Sequence, residues 1–273
     1  MELVVQGHRT YCYTGGKTID PARPTVVFIH GVLNDHSVWI LQSRWFANHG
    51  WNVLAVDLPG HCRSEGPPPA SVEAAADFII ALLDAAGIGK AALVGHSFGS
   101  MIALETTVRA PARVTHLALV GTSYPMTVAP VLLEGSVKDP QRAIEMVNNF
   151  SHSMLAPPPS TLGPGTWLPG GSRALMRRVL ASNREANVFH IGFNACDSYR
   201  NGEAAIAQVK CPLLFLLADA DQMTPPRAAQ GLIAKAPGAR VVMVKAGHQL
   251  MAEAPDAVLF ALRDFLQGNK PQV

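Results

Sequence analysis

Short runs of apolar residues recur along this chain, and within each run the apolar residues are continuous instead of alternating with polar ones. Continuous apolar character is typical of strands that are covered on both faces, as in a parallel sheet. The pattern therefore predicts a buried, mostly parallel sheet. Its strands are expected at residues 25–29, 53–56, 92–94, 117–120, 213–217 and 241–244.

Segments with helical periodicity lie between the predicted strands. Residues 72–86 place their apolar side chains along one stripe, a second helical pattern spans 98–109, and a last one follows Pro255. Strands that alternate with helices in this way predict a doubly wound α/β fold. The first apolar residues, at 3–5 and 10–13, predict an antiparallel hairpin added at the edge of the sheet.

The alternation stops between residues 123 and 207. This stretch is rich in Pro and Gly and contains no run of the buried-strand type. Its helical patterns fall at 140–150, 172–182 and 185–196. We therefore predict a mostly helical cap that is inserted into an α/β core made of residues 1–122 and 208–273. Ligands of open α/β sheets bind at the carboxyl edge of the strands, so the cap is expected over that edge.

Composition narrows the classes of function. The chain has 273 residues, of which 48% are hydrophobic and 15% are charged, and its formal net charge is +2. It can therefore fold around a full core, and it carries no excess of basic residues that would favour nucleic acid as a partner. No apolar stretch approaches the roughly 20 residues of a membrane-spanning helix, and the first residues lack a secretion signal. A cytoplasmic protein without a membrane partner is expected.

Neither a metal nor another cofactor is predicted. The His, Cys and Asp residues have no spacing typical of a metal site, and no glycine-rich loop with a lysine is present to bind phosphate. The cysteines have no paired spacing either, which favours reduced thiols. They lie at positions 12, 62, 196 and 211.

The most informative motif is Gly95-His96-Ser97-Phe98-Gly99, which follows the apolar run 92–94 and precedes the helical pattern 98–109. A strand that runs through Gly-x-Ser-x-Gly directly into a helix is the context of a nucleophile elbow, in which the turn holds the serine hydroxyl clear of the sheet. The strand and the helix approach each other closely at such a turn. Small residues two positions before and after the serine are needed to avoid a steric clash with them. Ser97 is therefore a candidate nucleophile.

Candidates for a base and an acid follow the last two predicted strands. A serine nucleophile needs a histidine to accept its proton and a carboxylate to orient that histidine. Asp219 and Asp221 follow the run 213–217, and His248 follows the run 241–244. The carboxyl ends of parallel strands meet at one edge of the sheet, so these residues can converge with Ser97.

In these motifs the chain resembles the α/β-hydrolase superfamily, in particular its serine esterases with a helical cap. The resemblance covers nearly the whole length and has further anchors in His30-Gly31-Val32, which is similar to the oxyanion-loop motif, and in Asp57-Leu58-Pro59-Gly60-His61-Cys62-Arg63-Ser64. The family usually has Gly where Cys62 stands, so the chain departs from the family pattern at that turn.

The resemblance implies a role for each matching residue. Ser97 would be the nucleophile, His248 the general base and then acid, and Asp221, which the motif frames better than Asp219, the orienting carboxylate. The oxyanion hole would be formed by the backbone N–H groups of Val32 and Phe98.

Other polar residues in the motifs are expected to support loops. His96 is predicted to pack behind the elbow instead of acting as a base, and His30 to hydrogen-bond the backbone of its loop. Asp57 is expected to accept hydrogen bonds from loop N–H groups, and His61 and Arg63 to hold the loop that follows it.

A hydrophobic small molecule is the expected substrate. The predicted pocket is lined by Trp39, Met126, Met223, Leu250 and Met251, together with Phe98 from the elbow and with Phe150, Met154 and Trp167 from the cap. Packing between the cap and the core is an equally good interpretation of several of them. The arginines at 173, 177, 178 and 184 are expected to form a solvated face.

The predicted activity is carboxylesterase through an acyl-enzyme, and three alternatives stay open. The same residues serve hydrolases of carbon–carbon bonds in ring-fission products and cofactor-free perhydrolases. Some members of the fold bind ligands without catalysis. Dehalogenase and epoxide-hydrolase chemistry is disfavoured, because those branches have an aspartate where this chain has Ser97.

Overall fold

The computed structural model describes residues 1–153 and 166–268. Its strands are β1 (Glu2–Val5), β2 (His8–Tyr13), β3 (Thr25–Ile29), β4 (Asn52–Val56), β5 (Ala91–His96), β6 (Val114–Val120), β7 (Leu213–Ala218) and β8 (Arg240–Val244). They form one sheet in the order β1-β2-β4-β3-β5-β6-β7-β8, in which β3 to β8 are parallel and β2 pairs antiparallel with both β1 and β4. All six predicted central strands are confirmed, with ends that differ by at most a few residues.

The predicted hairpin is present at the edge of the sheet. Residues Val5 and His8 pair across a two-residue turn in which Gln6 and Gly7 both have positive φ, at 49° and 84°. Two positive φ angles are characteristic of the tight turns that match the twist of a hairpin.

Helices follow the strands in the described residues. The helices are α1 (Ile40–Asn48), α2 (Val72–Ala85), α3 (Phe98–Arg109), α4 (Pro130–Lys138), α5 (Pro140–Phe150), α6 (Leu168–Ser182), α7 (Val188–Ser198), α8 (Gly202–Ile206), α9 (Gln230–Ala234), α10 (Leu250–Glu253) and α11 (Pro255–Leu266). Alternate residues of the central strands belong to opposite apolar layers. Val27 and Leu93 share one layer with α2, α3, α8 and α9, whereas Phe28 and Val94 share the other with α1 and α11. The fold is therefore doubly wound, as predicted.

Helices α4 to α8 lie between β6 and β7, and we refer to them as the helical insertion. Helices α4 to α7 share a small apolar core that includes Ile144, Val179 and Phe189 and that also takes in Leu33, from the loop after β3. Gly192 of α7 lies so close to Val32 that a Cβ there would come within 3.1 Å of its side chain. The insertion therefore packs over the loop that follows β3.

The last part of the insertion packs with the main core. Tyr199, Ala205 and Ile206 belong to the apolar cluster formed by the sheet with α2 and α3. Residues of the insertion therefore already pack with the sheet before position 208, where the α/β core was predicted to resume. None of the helices in the described residues has the length and apolar character that crossing a bilayer requires.

Candidate active site

Ser97 stands between the end of β5 and the start of α3, with φ 53° and ψ −120°. A positive φ is uncommon for a residue with a side chain and marks local backbone strain. The flanking glycines are required by close contacts: a Cβ on Gly95 would overlap the carbonyl of Gly99, and a Cβ on Gly99 would overlap the carbonyl of Ile29. Residues 95–99 therefore have the backbone geometry of a nucleophile elbow.

The histidine loop and the acid loop meet at the same edge of the sheet. His248 Nδ1 lies 2.8 Å from Asp221 Oδ2, and both side chains are almost completely buried. Because the carboxylate only accepts, the imidazole donates from Nδ1 and leaves Nε2 free for another partner. Asp219 is not in this arrangement, since its carboxylate instead accepts a bond of 3.3 Å from the N–H of Ala246.

Asp221 is strongly held in its charged form. Burial alone would raise the pKa of this carboxyl, but the nearby charge and the hydrogen bond of His248, with the bonds from Thr224, lower it to about 2. Oδ1 accepts from the N–H groups of Met223 and Thr224, and Oδ2 also accepts from the hydroxyl of Thr224 over 2.8 Å. The role of Thr224 was not predicted, although a hydroxyl three residues after a candidate aspartate is a signal for such a turn.

His96 links the elbow to the histidine loop. Its side chain is fully buried, as expected, and Nε2 lies 2.9 Å from the carbonyl oxygen of His248. A carbonyl only accepts, so Nε2 carries the proton. Burial first, and the proximity of His248 second, lower the pKa of His96 to about 3. The ring is therefore neutral at physiological pH and acts as a donor.

The loop after β3 runs beside the elbow. A Cβ on Gly31 would lie 3.1 Å from the Cβ of Ser97, so the residue before Val32 is in close contact with the elbow. The N–H of Val32 is one of the two predicted oxyanion donors. Among the described residues neither this N–H nor that of Phe98 has a hydrogen-bond acceptor. His30 supports the loop as predicted, because Nδ1 donates to the carbonyl of Gly31 over 2.8 Å and Nε2 accepts from the N–H of Leu58.

The loop after β4 is organised around the buried carboxylate of Asp57. It accepts from the N–H and the imidazole Nδ1 of His36, at 2.8 and 2.7 Å, and from the N–H of Arg63. His61 bonds the carbonyl of Pro59 within the same loop. Cys62 has a φ of 47°, which explains why glycine is favoured there.

Asp35, His36 and Asp57 bring their ligand atoms within 4.8 Å of one another, a grouping that the sequence spacing did not suggest. Each already has a protein partner. Asp35 binds the guanidinium of Arg178 over 2.7 Å and the N–H of Ser37, and His36 binds Asp57. These contacts give the cluster a structural role in which Arg178 of α6 is joined to the loop after β3.

The structure corrects the expected pocket lining. Trp39 and Leu250 have no exposed surface and belong to the core between the sheet and α11, and Met126 is buried in the core on the opposite face. Phe150 is exposed to solvent instead of facing a pocket. Trp39, Met126 and Leu250 therefore pack in the core of the sheet and its helices instead of lining a pocket.

Two other predicted pocket residues follow members of the candidate site in sequence, and Trp167 shares a cleft with one of them. Met223 follows Asp221 and packs against the apolar core of the insertion. Met251 and Trp167 line a cleft of about 200 Å³ together with Val38 and Gln249, the residue after His248. Met154 lies outside the described residues. Arg173 and Arg177 both pair with Glu145 on the insertion, in keeping with a solvated face.

Comparisons with known proteins agree with this geometry. The family model for the alpha/beta hydrolase fold matches residues 24–255. A pimeloyl-[acyl-carrier protein] methyl ester esterase from Neisseria meningitidis serogroup C is 28% identical over 268 residues, which cover 92% of this chain and 97% of that protein.

Solved structures share the architecture. The enol-lactonase from Burkholderia xenovorans superposes with a TM-score of 0.82 at 19% identity, covering 98% of this chain and 100% of that one. An esterase from Exiguobacterium antarcticum also gives 0.82, at 16% identity, covering 98% and 99%. Similarities at this identity concern the fold, whereas the family model spans most of the chain. The protein is therefore an enzyme that belongs to the alpha/beta hydrolase fold family.

Proposed function

We propose that this hydrolase cleaves carboxylic esters through an acyl-enzyme formed on Ser97. The observation that supports the proposal most strongly is the 2.8 Å bond between His248 and Asp221 at the sheet edge that also carries the elbow. This bond fixes the imidazole with Nε2 unprotonated, which is the form that accepts a proton from a serine.

In the first step Nε2 of His248 takes the proton of Ser97, and Oγ attacks the carbonyl carbon of the ester. The negative charge that develops on the carbonyl oxygen would be stabilised by the N–H groups of Val32 and Phe98. Neither N–H has an acceptor among the described residues. That of Phe98, the residue after Ser97, opens the 12-residue helix α3, whose dipole also favours negative charge.

Collapse of the tetrahedral intermediate breaks the bond to the alcohol, which leaves with the proton held on His248. A water molecule then gives its proton to the same imidazole and attacks the acyl-enzyme, and the acid is released as Ser97 recovers its proton. The ionised Asp221 stabilises the imidazolium in both steps without taking the proton itself. No cofactor is needed in this scheme.

We further propose that the helical insertion is a cap over the site and that the substrate has a small to medium hydrophobic acyl group. Met223, two residues after Asp221, and Met251, three residues after His248, are apolar and adaptable side chains, which supports an uncharged substrate. A relative is named for the hydrolysis of a methyl ester, which supports an ester over a carbon–carbon bond.

The test compares hydrolysis of p-nitrophenyl esters from acetate to decanoate by the protein and by its Ser97→Ala variant. The proposal expects turnover that falls by roughly 10⁴-fold or more in the variant. The chain length with the highest kcat/KM then measures the acyl pocket. Equal rates in the two proteins across the whole series would contradict it.

A further inference from the structure

The main chain around His248 is held by groups that come from outside its own loop. The N–H of Gly247 donates to Oε1 of Glu253 over 3.1 Å, and the N–H of Gln249 donates to the carbonyl of Ser151 over 3.0 Å. Ser151 ends α5, so part of this support comes from the helical insertion.

Glu253 joins the histidine loop to the insertion through one carboxylate. Its Oε2 accepts from the N–H of Ser153 over 3.0 Å and also from the hydroxyl of Ser153. All three groups that meet this carboxylate are donors, counting the N–H of Gly247. An amide at this position could accept at only one of its two atoms, so the site favours glutamate over glutamine.

Gly247 packs tightly against the backbone of the insertion. A Cβ on Gly247 would lie 2.6 Å from the backbone nitrogen of Ser153 and 2.8 Å from the carbonyl carbon of His152. The backbone of the insertion therefore rests directly on the residue before His248. Any displacement of residues 151–153 removes the acceptor of Gln249 and the donors to Glu253 together.

We propose that Glu253 is a positioning residue, through which the orientation of His248 depends on the position of the helical insertion relative to the histidine loop. With Ser153 in place, the carboxylate fixes Gly247 and thereby the imidazole that bonds Asp221. The insertion then contributes to the rate of the chemical step as well as to substrate binding. This inference rests on the proposed function, in which His248 transfers the proton.

The first test replaces the carboxylate without changing its shape. Glu253→Gln is expected to lower kcat roughly 10-fold, the effect of one lost hydrogen bond to a charged group, with KM changed by less than about 2-fold. The matched control is Glu134→Gln, which removes an exposed carboxylate of the helical insertion that pairs with Lys138 on the surface. It is expected to leave both constants unchanged.

A double-mutant cycle tests whether the effect of Glu253 on kcat depends on its contact with Ser153. Ser153→Ala removes only the hydroxyl donor and is expected to lower kcat a few-fold. The double variant Glu253→Gln, Ser153→Ala is expected to lose little more than Glu253→Gln alone, because the two side chains form one contact. Fully additive losses would contradict a path through Ser153.

The position of His248 is read independently by proton NMR. The Nδ1–H that bonds Asp221 is expected to give a downfield resonance in the wild type and in Glu134→Gln, broadened by exchange in Glu253→Gln. Unchanged kcat and an unchanged resonance in Glu253→Gln would overturn the inference, as would a rise in KM alone. If Ser97→Ala shows that the ester hydrolysis proposal fails, the resonance alone decides whether Glu253 positions His248.

Discussion

The side chain of His96 donates a hydrogen bond to the main-chain carbonyl of His248 over 2.9 Å. The residue before the candidate nucleophile is thus bonded directly to the candidate base, although the two are 152 positions apart in sequence. His96 is fully buried and its pKa is lowered to about 3, so the donor is a neutral imidazole at physiological pH. The bond ties the elbow and the histidine loop into one unit.

Replacing His96 is therefore expected to affect turnover. His96→Leu leaves the buried carbonyl of His248 without a donor, which costs about 1–3 kcal/mol, and kcat is expected to fall roughly 10-fold. His96→Gln keeps an N–H donor of similar reach and is expected to retain most of the activity. Steady-state kinetics on a p-nitrophenyl ester measure both, with His49→Gln on the surface as the control. Equal losses in the Leu and Gln variants would show that the hydrogen bond is not the cause.

Asp221 and Asp219 provide a matched pair two positions apart. Asp221→Asn removes the acceptor that fixes the Nδ1–H tautomer of His248, so kcat is expected to fall by roughly 10³ to 10⁴-fold. Asp219→Asn disturbs a bond to the N–H of Ala246, outside the contact between His248 and Asp221, and is expected to change kcat less than about 3-fold. A large loss of kcat in Asp219→Asn, with activity kept in Asp221→Asn, would show that Asp219 and not Asp221 orients His248.

Stability is expected to depend on pH through Asp221. Its pKa of about 2 in the folded state lies below the ordinary value of 3.8, so its ionised form stabilises the fold by about 2 kcal/mol. Because the folded pKa is depressed, this contribution is complete above about pH 4 and is lost as the pH falls towards 2. Denaturant unfolding across this range measures it. Asp221→Asn is expected to lose less stability over the same interval, and an identical pH dependence would refute the assignment.

Glu105 of α3 binds the segment of the insertion that packs with the main core. This buried carboxylate accepts from the hydroxyl of Tyr199 over 2.8 Å, from the amide of Asn201 over 2.9 Å and from the guanidinium of Arg109 over 2.8 Å. Burial alone would raise its pKa, but the bonds from Asn201, Arg109 and Tyr199 lower it.

Glu105→Gln is accordingly expected to lower the free energy of unfolding by about 1–3 kcal/mol, because buried donors lose a charged acceptor. Denaturant unfolding of this variant is compared with that of Glu203→Gln, which removes an exposed carboxylate paired with Lys235. A Glu105→Gln variant as stable as Glu203→Gln would show that the buried network contributes nothing.

The parts of the fold that were predicted from sequence are those governed by local patterns. The continuous apolar runs located the central strands, and the helix after Ser97 begins and ends where its pattern does, at Phe98–Arg109. Helix α1 was not predicted because its buried face includes the polar residues Gln42 and Ser43, so no apolar stripe marks it. Helix α4 buries only Leu132 and Ser136 and leaves Val131 and Val137 exposed, which likewise obscures the stripe.

The candidate site was predictable where a short motif shows which residues the backbone geometry requires. Gly95 and Gly99 are needed for contacts within a few residues of Ser97, and such needs are visible in the sequence. The pocket was less predictable, because apolar character does not say whether a residue such as Trp39 faces a ligand or the core. Contacts between distant segments, such as that of Glu253 with Ser153, leave no local pattern.

Labelling with a fluorophosphonate tests most directly whether Ser97 is the activated nucleophile, because it requires no knowledge of the substrate. The phosphorus is attacked by a serine that has a base beside it, fluoride leaves, and the adduct stays bound to Oγ. Peptide mass spectrometry is expected to find one adduct, on the peptide that contains Ser97, in the wild-type protein. The rate of labelling is expected to fall strongly in His248→Ala, and Ser97→Ala is expected to remain unlabelled. Adduct formation on another residue, or equal labelling of Ser97→Ala, would contradict the account.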